Sequence, residues 1–199
     1  MTKGPGMAKL CEMLEGVGFP LSKAHAVEVF ARQGDWHTLD YYQKVASVEA
    51  WEIDDSHLAG LRENLPKAEI KQVDSIHYIR QENNFSSADL VVIDNPQNTF
   101  GPNNEYCEHF DVIDPALKML RPGGVIVFNV NIEPFNYQQF PDWRVRRELF
   151  YGPMNTAKLS IDELVEFYRR RFEASGRVVT DKLQSFRTDY LHYMAYRLL

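Results

Sequence analysis

Polar side chains end two apolar runs in the second half of the sequence. Asp94 and Asn95 end the first run, and Asn129 and Asn131 end the second. Both runs are short, rich in β-branched residues and apolar on both faces, which is typical of strands inside a parallel sheet that helices cover. Ligands of open α/β sheets bind outside the carboxyl ends of the strands. We therefore expect these four side chains to share one edge of the sheet and to form a site.

The elements that would position this site follow a strand–helix alternation. Short β-branched runs alternate with segments whose apolar residues recur at helical spacing, such as Leu58, Leu61 and Leu65. This alternation predicts an α/β protein with a doubly wound, mostly parallel sheet and right-handed crossovers. Two further runs near the end of the chain, joined by a short polar turn, predict an antiparallel hairpin that brings the sheet to seven strands. The predicted strands are 25–31, 47–53, 68–73, 88–94, 125–130, 176–185 and 190–198.

The length of 199 residues suits one domain, and the sequence shows neither internal repeats nor a linker. An amphipathic helix is predicted at about 7–17, before the first strand. An aromatic-rich segment at about 132–158 interrupts the alternation after the fifth strand, and such segments often form lids or substrate loops. We therefore expect a single domain over residues 1–199, with an N-terminal helix and an insertion near the substrate end.

Composition limits the classes of function. The net charge of −6 gives no basic footprint, which disfavours a non-specific nucleic-acid binder. Two cysteines, Cys11 and Cys107, are too few for a disulfide framework or a metal knuckle. No leader-like or membrane-spanning apolar run is present. These features predict a cytoplasmic protein without a membrane partner, and they leave the oligomeric state open.

Four local motifs resemble those of the class I S-adenosylmethionine-dependent methyltransferases. Residues 27–34 (VEVFARQG) resemble the first motif, an acidic residue followed by a tight turn, and 48–54 (VEAWEID) resemble the second. Residues 72–75 (QVDS) resemble the third, and 119–127 (MLRPGGVIV) are very similar to the fifth-strand signature. The resemblance spans most of the chain. It implies a Rossmann-like methyltransferase fold and S-adenosylmethionine as the cofactor.

The resemblance assigns roles to the acids of these motifs. It implies that Glu52 pairs with the ribose hydroxyls and that Asp74 reaches the adenine amino group, both of which a carboxylate can accept. Glu28 and Glu52 are about 24 positions apart, near the roughly 20-residue spacing between a cofactor loop and a ribose-binding acid. The missing G-x-G-x-x-G disfavours a nicotinamide dinucleotide. The expected cofactor-binding residues are Glu28, Phe30, Arg32, Gly34, Glu52, Ile53, Asp74, Ser75 and Asp94.

The first motif departs from the family pattern. It normally keeps two or three glycines so that the backbone can approach the cofactor, but here only Gly34 remains, after Arg32 and Gln33. Arg32 could pair with the methionine carboxylate of the cofactor or obstruct the pocket. This departure motivates one alternative, a non-catalytic binding protein that has the methyltransferase fold and has lost cofactor binding.

Two reaction patterns compete for the segment 94–97 (DNPQ). One is the D/N-P-P-Y/F motif of the amino methyltransferases that act on nucleobases, but the second proline and the aromatic residue are missing. The other is the metal-dependent catechol-type O-methyltransferase, but Asn129 stands where an acid should bind the metal. One carboxylate and two amides make a poor site for a hard cation, so no metal is predicted.

The leading hypothesis is therefore methyl transfer to an O or N nucleophile of a small molecule, and nucleic acid as the substrate is the less favoured alternative. Asp94, with Asn95, is the expected catalytic residue, as acceptor of the nucleophile's proton. His109 as a base, and a basic cleft formed by the arginines of 144–147 and 169–171, are each less favoured than packing or solvated roles. The expected substrate-binding residues are Pro96, Tyr106, Asn129, Asn131 and Trp143.

Overall fold

The computed structural model describes residues 4–199 of the chain. Most strands and helices alternate along the sequence, as the periodicity predicts. The strands are β1 (His25–Val29), β2 (Ser47–Glu52), β3 (Glu69–Gln72), β4 (Ala88–Ile93), β5 (Thr99–Phe100), β6 (Tyr106–Cys107), β7 (Leu120–Asn131), β8 (Val179–Phe186) and β9 (Leu191–Leu198). The α-helices are α1 (Gly6–Gly16), α2 (Thr38–Tyr42), α3 (Asp55–Asn64), α4 (Ser75–Tyr78), α5 (Ile113–Met119), α6 (Pro141–Tyr151) and α7 (Ile161–Ala174).

Seven of the strands form one twisted sheet in the order β3-β2-β1-β4-β7-β9-β8. The neighbours from β3 to β7 pair in parallel, whereas β9 pairs antiparallel with both β7 and β8. The strand order reverses at β1, which lies between β2 and β4, and such a switch point opens a crevice at the carboxyl ends of the strands. The predicted doubly wound α/β sheet with a C-terminal antiparallel hairpin is confirmed.

The hairpin turn lies at the same edge of the sheet as the ends of β4 and β7. Because β9 runs antiparallel to β7, Asn131 at the end of β7 is opposite Leu191 at the start of β9. The turn of residues 187–190 that precedes Leu191 is therefore placed beside the carboxyl ends of the parallel strands. This register makes the turn part of the candidate site.

Apolar side chains fill both faces of the sheet, as a doubly wound fold requires. Along β4, Val91 and Ile93 pack into one core cluster, whereas Leu90 and Val92 pack into the other. Helices α5 and α7 contribute to the first cluster, and α1 and α3 contribute to the second. The buried core holds the strand ends in fixed positions.

Within residues 4–199, no helix has the length and apolarity needed to cross a membrane.

Three segments differ from the simple alternation of strands and helices. Tyr106–Cys107 is a short strand that pairs with Thr99–Phe100, and turns follow it. The fifth parallel strand, predicted from residue 125, begins at Leu120, where a register shift opposite Ala88 and Leu90 accommodates the Pro-Gly-Gly sequence. The predicted insertion at 132–158 contains the regular helix α6. Tertiary pairing overrides the local periodicity in these segments.

Candidate functional site

A cavity of about 1290 Å³ opens at the carboxyl ends of β1, β2, β4 and β7. Single small-molecule pockets are typically about 300–1,000 Å³, so this cavity has room for more than one ligand. Residues from α1, the segments after β1, β2, β3 and β4, Asn129 of β7 and the β8–β9 turn form its wall. The predicted site residues in that wall are Phe30, Arg32, Gly34, Glu52, Ile53, Asp74, Ser75, Asp94, Asn95, Pro96, Tyr106 and Asn129.

The loop after β1 reaches the cavity without a glycine-rich sequence. Phe30 and Arg32 both have positive φ, 66° and 52°, although such φ values are uncommon outside glycine. Two hydrogen bonds hold this backbone: Ala31 N donates to Trp51 O at 2.8 Å, and Arg32 N donates to Glu52 Oε2 at 2.7 Å. Contacts with β2 therefore impose the conformation that glycines normally permit.

Glu52 organises the cavity wall at the end of β2. Its second oxygen accepts a hydrogen bond of 2.8 Å from Asp54 N, so both carboxylate oxygens bind loop amides. The next side chain, Ile53, is 62% exposed at the cavity wall. Asp74 occupies the corresponding position after β3 and accepts a hydrogen bond of 2.9 Å from Ile76 N, which caps α4. This half of the cavity presents carboxylates beside an exposed apolar side chain.

Glu28 does not lie in the cavity wall. It is fully buried beneath the wall, where one oxygen lies 2.8 Å from His37 Nε2 and the other accepts a hydrogen bond from the Tyr41 hydroxyl. Burial and the neighbouring Glu28 raise the pKa of Tyr41 well above its ordinary value, so this hydroxyl stays protonated. The expectation that Glu28 contacts the cofactor is therefore corrected: its position inside β1 turns the side chain towards α2.

A chain of alternating charges crosses the floor of the site. His37 lies between two carboxylates, with Nε2 near Glu28 and Nδ1 2.7 Å from Asp94 Oδ2. Arg187 Nη1 lies 2.8 Å from Asp94 Oδ1 and 3.0 Å from Oδ2. Burial alone would lower the pKa of His37, but the charges of Glu28 and Asp94 outweigh burial and raise it to about 10. At neutral pH His37 is therefore protonated, and this cation lies between the side chains of Glu28 and Asp94.

Arg187 also joins the hairpin turn to the loop after β1. Its guanidinium lies 3.6 Å from the centroid of the Trp36 ring, a cation–π distance. The same guanidinium donates a hydrogen bond of 3.1 Å to the Tyr193 hydroxyl. Neither His37 nor Arg187 is among the site residues that the sequence predicts. The antiparallel register of the hairpin would have placed Arg187 at the site, but no local pattern marked His37.

Asp94 is saturated with donors. Besides His37 and Arg187, its Oδ1 accepts a hydrogen bond from Asn129 Nδ2. Burial would raise the pKa of Asp94, but His37 and Arg187 together hold it below its ordinary value. An efficient general base needs a pKa near the working pH. The geometry therefore favours Asp94 as a residue that positions its neighbours over the expected role as proton acceptor.

Three amide side chains surround Asp94 in the cavity wall, and their NH₂ groups are all engaged. Asn95 Nδ2 donates to Pro96 O at 3.1 Å, Gln97 Nε2 donates to Asn95 O at 3.1 Å, and Asn129 Nδ2 donates to Asp94. The carbonyl oxygens of the same three side chains are buried, and within residues 4–199 none of them has a donor. These three oxygens are thus enclosed by the protein at the β4 end of the cavity.

A cluster of three aromatic rings also lines the cavity. The rings of Phe30 and Tyr106 each have a centroid 5.6 Å from that of Phe100, and all three residues line the cavity. The small β5–β6 hairpin carries Phe100 and Tyr106 to this position. The prediction that the segment around Tyr106 lies near a substrate is compatible with this placement.

Two expected substrate residues lie outside the wall. Asn131 is buried, and its Oδ1 accepts a hydrogen bond of 3.0 Å from Glu133 N. Trp143 is also buried, and its Nε1 donates a hydrogen bond of 2.8 Å to Glu108 Oε1. Both residues anchor the segment after β7. The expectation that they contact substrate is corrected, because both side chains are buried outside the cavity wall.

The other candidates have structural partners. His109 is buried among Phe110, Phe128, Phe150 and Tyr168, and burial lowers its pKa well below the ordinary value, so it stays neutral. The arginines proposed for a basic cleft form ion pairs with acids in several cases. These pairs are Arg144–Glu148, Arg147–Glu108, Arg169–Glu166, Arg170–Glu166 and Arg171–Asp114. In the described part of the chain, no three His, Cys, Asp or Glu side chains are arranged to hold a metal ion.

Comparison with known proteins gives structural matches only. No protein-family profile matches the sequence, and no curated protein is significantly similar to it in sequence.

Solved structures superpose over most of the chain. One is Burkholderia thailandensis 1,6-didemethyltoxoflavin-N1-methyltransferase with bound 1,6-didemethyltoxoflavin and S-adenosylhomocysteine, at 13% identity and a TM-score of 0.58 over 96% of this chain and 76% of that one. Another is the N-methyltransferase NodS of Bradyrhizobium japonicum, at 11% identity and a TM-score of 0.55 over 96% and 94%. A candidate RNA methyltransferase of Pyrococcus horikoshii matches at 16% identity and a TM-score of 0.57 over 96% and 82%. The chain therefore has the fold of the class I S-adenosylmethionine-dependent methyltransferases.

Proposed function

We propose that this protein is an S-adenosylmethionine-dependent methyltransferase that acts on a small molecule. The observation that carries the proposal is the cavity of about 1290 Å³ at the switch point of a methyltransferase sheet. Its β2–β3 half presents carboxylates beside an apolar side chain, and its β4–β7 half presents amides beside aromatic rings. The two halves suit a nucleoside cofactor and a second ligand, respectively.

The residues of the β2–β3 half fit the cofactor. In this proposal Glu52 and Asp74, which line the cavity, accept from ribose hydroxyls and an adenine amino group, and the exposed Ile53 offers an apolar surface to the base. Arg32 is exposed in the wall, and within residues 4–199 its guanidinium has no ion-pair partner, so it is available to a carboxylate. When bound, the cofactor supplies a methyl group on a positively charged sulfur atom.

The protein contributes orientation and exclusion of water. Methyl transfer needs the nucleophile held in line with the methyl group, which makes positioning the main catalytic task. Asp94 holds Asn129, His37 and Arg187 together at the point where the two halves of the cavity meet. In this proposal Asp94 and Asn95 shape the nucleophile pocket, and Pro96, Tyr106 and Asn129 contact the substrate.

The charges of the molecule favour a small substrate over a nucleic acid. Arg144 and the arginines of α7 form ion pairs with nearby acids, and the net charge is −6. Phosphate binding by arginine and lysine dominates affinity for nucleic acids. The named small-molecule activity of the Burkholderia protein is consistent with this choice, whereas the Pyrococcus protein keeps RNA as the alternative.

Calorimetry with S-adenosylhomocysteine tests the proposal. We expect saturable binding by the wild-type protein and an affinity about tenfold lower in Ile53→Ser, because an exposed apolar contact is lost. Val178→Ser is the matched control, since Val178 is 60% exposed and lies outside the cavity wall. Absence of binding in the wild type would overturn the proposal and leave the non-catalytic alternative. Salt-dependent RNA binding would instead favour the RNA alternative.

A further inference from the structure

Trp36 is an unusually open aromatic residue in the cavity wall. It is 55% exposed, whereas Trp51 and Trp143 are fully buried. Leu39, whose amide donates a hydrogen bond of 3.2 Å to Trp36 O, is 48% exposed in the same wall. Tryptophan is highly buried on average, and ligand pockets are lined mainly by apolar and aromatic side chains. This pair therefore offers the cavity an apolar surface that a ligand can reach.

The Trp36 ring is held in place from one side. The guanidinium carbon of Arg187 lies 3.6 Å from the ring centroid, a cation–π contact. Arg187 is itself fixed, because its Nη1 lies 2.8 Å and 3.0 Å from the two Asp94 oxygens and donates a hydrogen bond of 3.1 Å to the Tyr193 hydroxyl. A ring that is fixed before binding loses little conformational entropy when a ligand packs on it. Trp36 is therefore a preorganised binding surface.

The open face of the Trp36 ring suits one kind of ligand group. Because the Arg187 guanidinium covers one face, the accessible surface of the ring lies on the opposite face and on the ring edges. The covering cation draws on the π electrons of the ring, so the open face attracts a second cation only weakly. Asp35 and Asp40 are exposed in the same wall, and their charges repel an anionic ligand. An uncharged aromatic ring, which stacks on the open face, is the best match.

The contacts of Arg187 place the Trp36 ring away from the cofactor half of the cavity. Arg187 binds Asp94, which follows β4, and the turn that carries Arg187 lies beside the end of β7. Glu52 at the end of β2 and Asp74 after β3 lie on the other side of β1 in the sheet. A ligand that stacks on Trp36 is therefore the second ligand and not the nucleoside cofactor.

We propose that Trp36 stacks on a planar, uncharged aromatic ring of the second ligand, and that the methyl acceptor of this enzyme is therefore a neutral aromatic small molecule. The inference rests on the proposed methyltransferase function. A saturated ring of the same size buries a similar apolar area on Trp36 and Leu39 but cannot stack. Preference for an aromatic ring over its saturated counterpart is therefore the property that identifies this surface.

Matched aromatic and saturated alcohols test the proposal, with and without S-adenosylhomocysteine. Saturation-transfer NMR would measure the binding of benzyl alcohol against cyclohexylmethanol, and of 2-naphthol against decahydro-2-naphthol. We expect at least one aromatic alcohol to bind about fivefold more tightly than its saturated partner, and benzylamine and benzoate to bind less tightly than benzyl alcohol. Trp36→Leu should abolish the aromatic preference, whereas Trp36→Phe should retain it. Phe135→Leu is the matched control and should change nothing, because Phe135 is 53% exposed and lies outside the cavity wall.

The fluorescence of Trp36 locates the bound ring. Acrylamide quenches exposed tryptophans, and Trp51 and Trp143 are fully buried, so the readily quenched emission should come from Trp36 and be absent in Trp36→Phe. We expect benzyl alcohol to protect this emission in the wild-type protein. S-adenosylhomocysteine alone should leave it open to quenching.

Three results would overturn the inference. Equal or tighter binding of the saturated alcohols, or no binding by either aromatic alcohol, would show that the wall does not select an aromatic ring. An aromatic preference that persists in Trp36→Leu would place the bound ring elsewhere in the cavity. Protection of Trp36 by S-adenosylhomocysteine alone, with loss of its affinity in Trp36→Leu, would assign Trp36 to the cofactor. Failure of the methyltransferase proposal is distinguishable, because the wild type would then not bind S-adenosylhomocysteine at all.

Discussion

At the scale of single residues, His37 determines the electrostatics of the site. It lies between Glu28 and Asp94 and is 7% exposed. Two carboxylates buried so close to each other would repel, and a protonated imidazole between them removes that cost. The charge of His37 is therefore coupled to the folded state.

The first prediction concerns the pH dependence of stability. The pKa of His37 is about 10 in the folded protein, against 6.5 for an unperturbed histidine. The folded state therefore binds the extra proton between these values, so its stabilisation is complete below pH 6.5 and is lost as the pH rises towards 10. In His37→Gln we expect this pH-dependent loss to be absent. Between pH 6.5 and pH 10, the free energy of unfolding of the wild type should therefore fall more steeply than that of the variant, by up to about 1.4 kcal/mol per pH unit.

Urea unfolding of wild type and His37→Gln between pH 6 and pH 10 measures this difference. His77→Gln is the control, because the His77 side chain is 72% exposed and lies outside the charge chain. Parallel pH profiles for wild type and His37→Gln would contradict the proposed coupling between His37 and the two carboxylates.

The same residues show what the sequence could and could not predict. Asp94, Asn95 and Asn129 were placed at one sheet edge because strand ends are visible as the ends of apolar runs. Glu28 was misassigned, since the sequence does not reveal that α2 covers it with His37 and Tyr41. The left-handed conformations of Phe30 and Arg32 depend on hydrogen bonds to β2, which no local pattern encodes.

At the scale of elements, α6 is a helix that the sequence pattern does not predict. An ion pair that is fully buried on both sides, Arg147 Nη1 with Glu108 Oε1 at 2.5 Å, joins this helix to the segment after β6. Arg147 Nη2 also donates to Asn131 O at 2.8 Å, at the end of β7. One side chain thus fixes α6 to two elements that border the site.

The second prediction tests this anchoring. Arg147→Met leaves the buried Glu108 carboxylate without its cation, and removal of one partner of a buried pair typically costs about 3–5 kcal/mol. The double variant Arg147→Met/Glu108→Gln should recover part of the loss, because the uncompensated charge is gone. Denaturant unfolding of both single variants and of the double variant gives the coupling energy.

The same helix supplies the control for this cycle. Arg144 and Glu148 also form an ion pair on α6, with side chains 61% and 47% exposed, and exposed pairs contribute at most about 1 kcal/mol. Arg144→Met should therefore lower the free energy of unfolding far less than Arg147→Met does. If Arg144→Met and Arg147→Met lowered the free energy of unfolding equally, burial of the Arg147–Glu108 pair would not be what anchors α6.

At the scale of the whole molecule, the sheet was predictable and the insertion was not. The alternation of β-branched runs with helical periodicity predicts the parallel strands. The two final runs with their polar turn predict the hairpin, and both are present in the sheet. Strand pairing by Tyr106–Cys107 and the helix Pro141–Tyr151 depend on contacts between distant segments. Predicted site residues on strand ends therefore lie in the cavity wall, whereas Trp143, which the insertion holds, lies outside it.

The last prediction concerns the stability of the entire fold in the presence of its proposed cofactor product. A ligand that binds only the folded state stabilises it by about 2.7 kcal/mol at one hundred times its Kd. For a domain of 199 residues, each kcal/mol raises Tm by roughly 2–4 °C, so S-adenosylhomocysteine should raise Tm by about 5–10 °C at that concentration. Differential scanning calorimetry over a concentration series should show a logarithmic increase, with a smaller rise for Ile53→Ser at the same concentration. A Tm that does not change with concentration would mean that the cavity at the switch point does not bind this nucleoside, whatever the fold shares with methyltransferases.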